Sequence, residues 1–169
     1  MQLSSIPVSM NRCIKLLSLN LFLMLSLLSC TQKKDGYTVW KEQSKTNIRL
    51  LPEYGHAAKT KQQLEADSSF IKTATQKESP EKASEALVQL GFKYLNEGDP
   101  QTAMYRFNQA WLLNPKNPEI YWGFGSVYFS FKDYKNAVMQ YNEGLSLDPK
   151  NKGILKDKAL AAQLLRKKN

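Results

Sequence analysis

The sequence is poor in the residues that most often catalyse reactions or bind metals. Among 169 residues it has one histidine, His56, and two cysteines, Cys13 and Cys30. No His, Cys and carboxylate residues have the spacing of a metal site, and there is no glycine-rich phosphate loop. Glu97 and Asp99 are neighbours, but they lie at a predicted turn where Asp99 caps a helix. We therefore predict no catalytic residue, no metal, no cofactor and no enzymatic activity.

Acidic residues are missing from the first thirty positions. Arg12 and Lys15 precede an apolar run of roughly 14 residues ending at Cys30, which is shorter than the ~20 residues of a membrane-spanning helix. A positive start followed by an apolar centre is typical of a secretory signal. We predict a signal peptide at residues 1–29, with translation starting at Met10 because the residues before it are uncharged.

The residues Leu27-Leu28-Ser29-Cys30 resemble the lipobox of bacterial lipoproteins. The resemblance implies a diacylglycerol and an N-acyl chain such as palmitate on Cys30, and acyl chains of this kind hold a protein firmly on a membrane. Thr31, in place of an aspartate, implies the outer membrane, on its periplasmic face or at the cell surface. The alternative is a buried thiol or a disulfide at Cys30, but Cys13 lies in the segment that would be removed.

Two blocks in the second half of the chain can be aligned with each other at a fixed offset. Matching positions carry the same residue: Gly91 and Gly125, Tyr94 and Tyr128, Ala103 and Ala137, Pro115 and Pro149. This period and pattern resemble the tetratricopeptide repeat, a helix-turn-helix unit of about 34 residues. The resemblance implies an all-α fold with two repeats at residues 80–151, stacked as helical hairpins in an α–α superhelix.

The periodicity of each block predicts the same pair of helices. Apolar residues at i, i+3, i+4 and i+7 form one face of a first helix, and Asp99 or Asp133 caps a second. Small residues let the two backbones approach, while aromatic rings fill the space beside them. The residues predicted to hold the hairpins together are Leu87, Leu90, Gly91, Tyr94, Ala103, Phe107, Ala110 and Pro115, and Tyr121, Phe124, Gly125, Tyr128, Ala137, Tyr141, Gly144 and Pro149.

The flanking regions are predicted to complete the domain. Residues 30–79 are interpreted as a lipidated tether and a partly ordered segment, with an extended stretch at 37–54 that docks on the repeats. A helix at 60–74 is expected to cover the open side of the first repeat, because short repeat arrays need additional cover. Residues 152–169 are predicted to form a capping helix with one apolar stripe, made of Leu155, Ala159, Ala162 and Leu165.

Positive charge is concentrated in that last helix. The whole chain has a formal charge of +9, and residues 152–169 contain six lysines and arginines against one acid, Asp157. Nucleic acid is not the expected partner of Arg166-Lys167-Lys168, because a secreted lipoprotein rarely meets it. A solvated cap that complements the helix dipole is one interpretation. Contact with anionic lipid headgroups or acidic envelope polymers is the other.

The resemblance to tetratricopeptide repeats also implies a concave groove lined by the first helices. In the register of that family the groove residues are Glu85, Val88, Phe92, Leu95, Glu119, Trp122, Ser126 and Phe129. Large apolar groups at such positions usually indicate a partner, unless residues 37–54 fill the groove instead. Val88, Phe92 and Trp122 replace the polar residues that clamp a C-terminal carboxylate in some relatives, which argues against that ligand.

The function predicted from these features is that of an outer-membrane lipoprotein acting as an adaptor in cell-envelope assembly. Its expected partner is an envelope protein or peptide segment bound in the groove. The alternative is a structural subunit that forms homo-oligomers through unpaired repeat faces and has no groove ligand.

Overall fold

The computed structural model describes residues 35–168, and the residues from Asp35 onward form one compact unit. The predicted signal peptide, Met10 and the lipobox with Cys30 lie outside this range. Seven α-helices are described: α1 Gly36–Ser44, α2 Lys61–Ala74, α3 Pro80–Asn96, α4 Pro100–Leu113, α5 Pro118–Ser130, α6 Tyr134–Leu147 and α7 Lys152–Lys168. Two short 3-10 turns, Ile48–Leu50 and Pro52–His56, lie between α1 and α2.

The helices of the repeats begin where the sequence provides caps. The carboxylate of Asp99 accepts a hydrogen bond from the Thr102 amide at 2.9 Å, and Asp133 caps α6 in the same way through the Asn136 amide at 3.1 Å. Pro100 occupies the first turn of α4, where an amide would lack a partner. These caps fix the two turns that fold α3 onto α4 and α5 onto α6.

Each hairpin is held by a glycine facing an aromatic ring. A Cβ built on Gly91 would lie 2.5 Å from Cε1 of Phe107, and one on Gly125 would lie 2.3 Å from Cε1 of Tyr141. Both rings are fully buried, so each glycine provides space that its partner ring occupies. Gly123 faces Phe107 from the other side at 2.3 Å. The same ring therefore joins α4 to the first helix of the next hairpin.

The open side of the first repeat is solvated rather than covered by α2. Ile120 and Val127 of α5 are buried between the hairpins, whereas their equivalents in the first repeat, Ala86 and Lys93, are exposed. Helix α2 lies beside α4 and has no buried residue, and Leu64 is 54 % exposed. The expectation that this helix covers the first repeat was wrong, because polar and small residues on α3 already make that face compatible with water.

Helix α7 occupies the place of the first helix of a further repeat. Its buried residues include Ile154 and Ala161, which lie one repeat period after Ile120 and Val127. The predicted stripe was therefore displaced by one position, because Leu155 is 45 % exposed and Ala159 is also exposed. Those two residues face the side where a second helix of the repeat would pack.

The segment before α2 is helical at its start rather than extended. Asp35 caps α1 by accepting hydrogen bonds from the amides of Tyr37 and Thr38. Trp40 is buried and contacts Phe131 in the α5–α6 turn, with ring centroids 5.0 Å apart. The segment docks on the repeats as expected, but it begins with the helix α1, whose aromatic residues face the domain.

Candidate protein-binding groove

One face of the domain is formed by α3, α5 and α7. Phe92 of α3 and Trp122 and Phe129 of α5 are half-buried on this face, and Glu85 is exposed. Phe92 and Trp122 meet edge to face with centroids 5.1 Å apart. Phe92 and Trp122 therefore form a continuous aromatic surface across the two repeats, and Phe129 lies seven residues further along α5. We call this surface the groove.

Trp122 is fixed at the centre of the groove by α7. Its Nε1 donates a hydrogen bond to Oδ2 of Asp157 at 2.7 Å. A Cβ on Gly153 would lie 2.7 Å from Cη2 of the indole, so glycine at this position lets α7 approach the ring. An indole held on its edge and one face presents its remaining surface in a single orientation, which reduces the entropy lost on binding.

A small pocket of about 90 Å³ opens beside Trp122. It is lined by Ser126, Phe129, Tyr141, Asp157 and Leu160. The pocket combines an aromatic and an aliphatic wall with a carboxylate already engaged by an indole. Its volume suits one small apolar side chain of a bound segment rather than a cofactor.

Asp157 and Leu160 were missed as groove residues by the sequence reasoning, although the repeat period contained the signal for one of them. Leu160 lies one period after Ser126, so extending the register into α7 would have identified it. Asp157 has no such signal, because its role depends on the direction in which the indole of Trp122 points.

Not all the predicted groove residues are available to a partner. Val88 is 1 % exposed and belongs to the core, in the cluster that includes Met104 and Phe107 of α4. Glu119 accepts a hydrogen bond from Nδ2 of Asn151 at 2.7 Å, and the Ser126 hydroxyl donates to the Trp122 carbonyl at 2.8 Å. Leu95 is half-buried near the end of α3. The surface open to a ligand is therefore narrower and more aromatic than the predicted set.

Residues 37–54 dock on α4 and the α5–α6 turn rather than in the groove. Nδ2 of the buried Asn108 donates to the carbonyls of Arg49 and Leu51, each at 2.9 Å. Its Oδ1 accepts from the Tyr54 amide at 3.3 Å. One side chain thus satisfies three backbone groups of the N-terminal segment. The alternative of a groove filled by this segment does not match the contacts that the segment makes.

The N-terminal segment closes this attachment with a left-handed turn. Glu53, Tyr54 and His56 have φ values of 54°, 58° and 52°, and Gly55 lies between them at 64°. Left-handed backbone is costly for residues with a Cβ, and the hydrogen bonds to Asn108 offset that cost. Tyr54 is buried, and the Lys59 ammonium lies over its ring, 3.4 Å from the ring centroid.

Residues 118–151 match the family model of the tetratricopeptide repeat. The predicted fold class is confirmed: the described residues form an all-α tetratricopeptide-repeat fold of stacked helical hairpins in an α–α superhelix. The match covers α5, α6 and the turn after them, and α3 and α4 show the same packing one repeat earlier in the chain. No curated protein matches the chain.

Most of the residues predicted to hold the repeats lie inside the hairpins. In the first repeat Gly91, Ala103, Phe107 and Ala110 are buried, and in the second so are Tyr121, Phe124, Gly125, Tyr128, Ala137, Tyr141 and Gly144. Leu87, Leu90 and Tyr94 are half-buried, and Pro115 and Pro149 are exposed in the turns that end each repeat. The first repeat is less buried because no hairpin precedes it within the described residues.

The titratable groups of the described residues serve capping and packing. The hydrogen bonds from the Thr102 side chain and amide lower the pKa of Asp99, which suits its role as a helix cap. His56 pairs with Glu53 at 3.4 Å, with its side chain 76 % exposed. Between residues 35 and 168 no three His, Cys, Asp or Glu residues are grouped as metal ligands. Within that range no helix combines the length and apolarity needed to cross a bilayer.

Proposed function

We propose that this protein is an outer-membrane lipoprotein that acts as an adaptor in cell-envelope assembly, binding a segment of a partner protein in the groove. The match to the tetratricopeptide repeat supports a role in protein–protein interaction. The lipobox resemblance of Leu27-Leu28-Ser29-Cys30 supports the anchor and the compartment.

The observation that carries the binding role is the aromatic surface of Phe92, Trp122 and Phe129. Phe92 packs against Trp122, Trp122 against α7, and Phe129 against Tyr134 of α6, yet each ring keeps part of its surface open. Rigid, half-exposed aromatic groups with an adjacent pocket are the usual centre of a protein interface. The narrow pocket and the apolar residues at the positions of a basic clamp favour an apolar segment over a free carboxyl terminus.

The groove is tested by photo-crosslinking in envelopes with a benzophenone amino acid placed at Leu160. We expect the crosslinker to capture one or a few proteins, and Phe92→Ala/Trp122→Ala to abolish the capture. Met139→Ala/Leu147→Ala is the matched control, because both residues are exposed apolar groups on α6, 51 % and 43 % accessible. Circular dichroism must show equal helix content in all variants. Equal capture by both double variants would contradict groove binding.

The anchor is tested separately through the two cysteines. In Cys30→Ser we expect a high-salt wash to release the protein from the membrane fraction, and mass spectrometry of the wild-type protein to show an acylated residue 30 at the amino terminus. Cys13→Ser should keep the anchor, since that residue would be removed with the signal peptide. An unmodified Cys30 in membrane-bound wild-type protein would contradict the proposal.

The exposed face of α7 favours self-association as a second candidate function. Leu155 and Ala159 lie one repeat period after Tyr121 and Gly125, whose face is covered by α6, and both α7 residues are exposed. A homo-oligomer would cover this face in the manner of the second helix of a repeat. Size-exclusion chromatography with light scattering over a concentration series tests it: Leu155→Lys should then dissociate the oligomer, while a concentration-independent monomer excludes this function.

A further inference from the structure

The two ends of the helical stack differ in charge. Helices α3, α5 and α7 run parallel, because Asn117 before α5 donates to the Ser84 hydroxyl at 3.2 Å and Asn151 before α7 donates to Glu119. The α5–α6 turn and the last turn of α7 therefore lie together at the other end. We call that end the basic end.

The basic end presents lysine and arginine side chains from several elements. A shallow depression of about 380 Å³ is bordered by Tyr37 of α1, by Lys132 and Lys135 around the α5–α6 turn, and by Leu165 of α7. The exposed basic residues at or next to it are Lys41, Lys132, Lys135, Arg166 and Lys167. Lys132 has a φ of 60°, which places it at the tip of the turn.

Acids at this end offset part of this charge. They are Asp35 and Glu42 around α1, Glu97 and Asp99 at the α3–α4 turn, and Asp133, which accepts hydrogen bonds from the Tyr37 hydroxyl and from Asn136. Lys93 in the last turn of α3 adds one more basic residue. The opposite end is balanced, since its basic residues lie beside a similar number of acidic ones: Lys82, Lys116, Lys150 and Lys152 with Glu81, Glu85, Glu119 and Asp148. Among the residues that border the depression, Lys132 and Lys135 outnumber the one acid, Asp133, and Arg166 and Lys167 follow Leu165 on α7. The excess of positive charge is therefore concentrated at the depression.

The chain also enters the domain at the basic end. Asp35 directly precedes α1, and Tyr37 borders the depression. Cys30 is five residues before Asp35, and an extended chain of that length reaches at most about 18 Å. If Cys30 is acylated as proposed above, this end of the domain stays close to the bilayer surface.

We propose that the basic end adsorbs to anionic lipid headgroups of the membrane that holds the anchor. Each lysine or arginine near an anionic bilayer strengthens adsorption about fivefold, and the effect is screened by salt. The contact places the helices steeply to the membrane plane, so that the groove opens sideways and a partner reaches it without displacing lipid. This inference depends on the proposed anchor for its place in the cell, but the electrostatic contact itself does not require acylation.

The test uses the chain from residue 30 onward with Cys30→Ser, which retains the whole compact unit and has no acyl chain. Its co-sedimentation is measured with phosphatidylcholine vesicles, and with vesicles containing an equal amount of phosphatidylglycerol, at low and high salt. We expect binding to the anionic vesicles alone, lost at high salt. Lys132→Glu/Lys135→Glu/Lys167→Glu should weaken it at least about tenfold.

The matched control is Lys82→Glu/Lys116→Glu/Lys150→Glu, which makes the same change in net charge at the opposite end and should weaken binding less than about twofold. Equal losses in the two triple variants, or no preference for anionic vesicles, would overturn the proposal. Binding to soluble polyglutamate without binding to vesicles would also overturn it, in favour of an acidic protein partner. The acylation of Cys30 is read independently by mass spectrometry, so a failure of the anchor is distinguishable from a failure of the lipid contact.

Discussion

Asn108 and Asn142 occupy the same position in the two repeats, yet Asn108 is fully buried and Asn142 is exposed. The difference is the N-terminal segment, which covers α4 and places three backbone groups within hydrogen-bonding distance of Asn108. The equivalent surface of α6 has no such cover among the described residues, and Met139 beside it is 51 % exposed. The chain thus provides an internal comparison between a satisfied and a solvated asparagine.

We predict that Asn108→Ala lowers the free energy of unfolding by about 1–3 kcal/mol, because the Arg49 carbonyl loses its donor while the Tyr54 amide and the Leu51 carbonyl keep only their bond to each other. Asn142→Ala should change it by less than about 0.5 kcal/mol. Chemical denaturation measures both values. Hydrogen exchange should also show faster exchange at the Tyr54 amide in Asn108→Ala. Equal stabilities of the two variants would show that Asn108 does not hold the segment.

Gly125→Ala is predicted to destabilise the second repeat. The added Cβ would overlap the buried ring of Tyr141, and overpacking of this kind costs about 1–3 kcal/mol, partly offset by the better helix propensity of alanine. Gly36→Ala is the control, since a Cβ there meets nothing within 4 Å. Thermal denaturation followed by circular dichroism compares them. A melting temperature for Gly125→Ala at or above wild type would contradict the packing described here.

Trp122 and Asp157 should be energetically coupled. Their hydrogen bond joins an indole donor to a carboxylate at 2.7 Å, and a bond to a charged acceptor contributes about 1.5–3 kcal/mol. A double-mutant cycle with Trp122→Phe and Asp157→Ala isolates this coupling from the individual losses, and we expect a coupling free energy of at least about 1 kcal/mol from denaturation. Strict additivity would mean that α7 does not position the indole.

Alkaline pH is predicted to unfold the domain. Burial raises the pKa of Tyr121, Tyr128 and Tyr141 from 10.0 to about 12, with additional contributions from Glu53 at Tyr121 and Asp133 at Tyr128. In the unfolded chain these tyrosines ionise near pH 10, while in the folded chain they stay protonated. The stability that is present below pH 10 is therefore lost as the pH rises towards 12.

Phenolate absorbance and circular dichroism, recorded together, test this dependence. We expect part of the tyrosine absorbance to rise only as the helix signal falls. Tyr141→Phe should remove one of the late-ionising groups and reduce the pH dependence of stability between 10 and 12. A helix signal unaffected by complete tyrosine ionisation would rule out the burial effect.

The repeats could be predicted from the sequence because their determinants are local and occur twice. Gly91 with Phe107 and Gly125 with Tyr141 follow from spacing alone, and so do the caps at Asp99 and Asp133. The displaced stripe on α7 has a different origin. A helix with leucine and alanine on several sides fits more than one register, and only its packing against the preceding hairpin selects Ile154 and Ala161.

The contacts of the N-terminal segment could not be read from the sequence. Nothing in the residues around Asn108 distinguishes it from Asn142, because its partners are backbone groups far away in the chain. Val88 was assigned to the groove for a related reason: a family register specifies a position on the helix but not how far a side chain there is covered. Val88 is buried, whereas the larger Trp122 one period later is only half-buried. The pocket beside Trp122 likewise depends on where α7 lies.

The attachment of the N-terminal segment determines the order in which the native contacts can form. Contacts within a repeat join residues of one hairpin, whereas Asn108 and Tyr54 are 54 residues apart and Tyr37 and Asp133 are 96 apart. Loop closure over such separations is slow compared with hairpin formation. The N-terminal segment leaves the ribosome before the repeats and is therefore among the last parts of the domain to reach its native contacts. Until α4 and α6 have folded, Trp40, Leu50 and Tyr54 remain an apolar strip without a native surface to cover them.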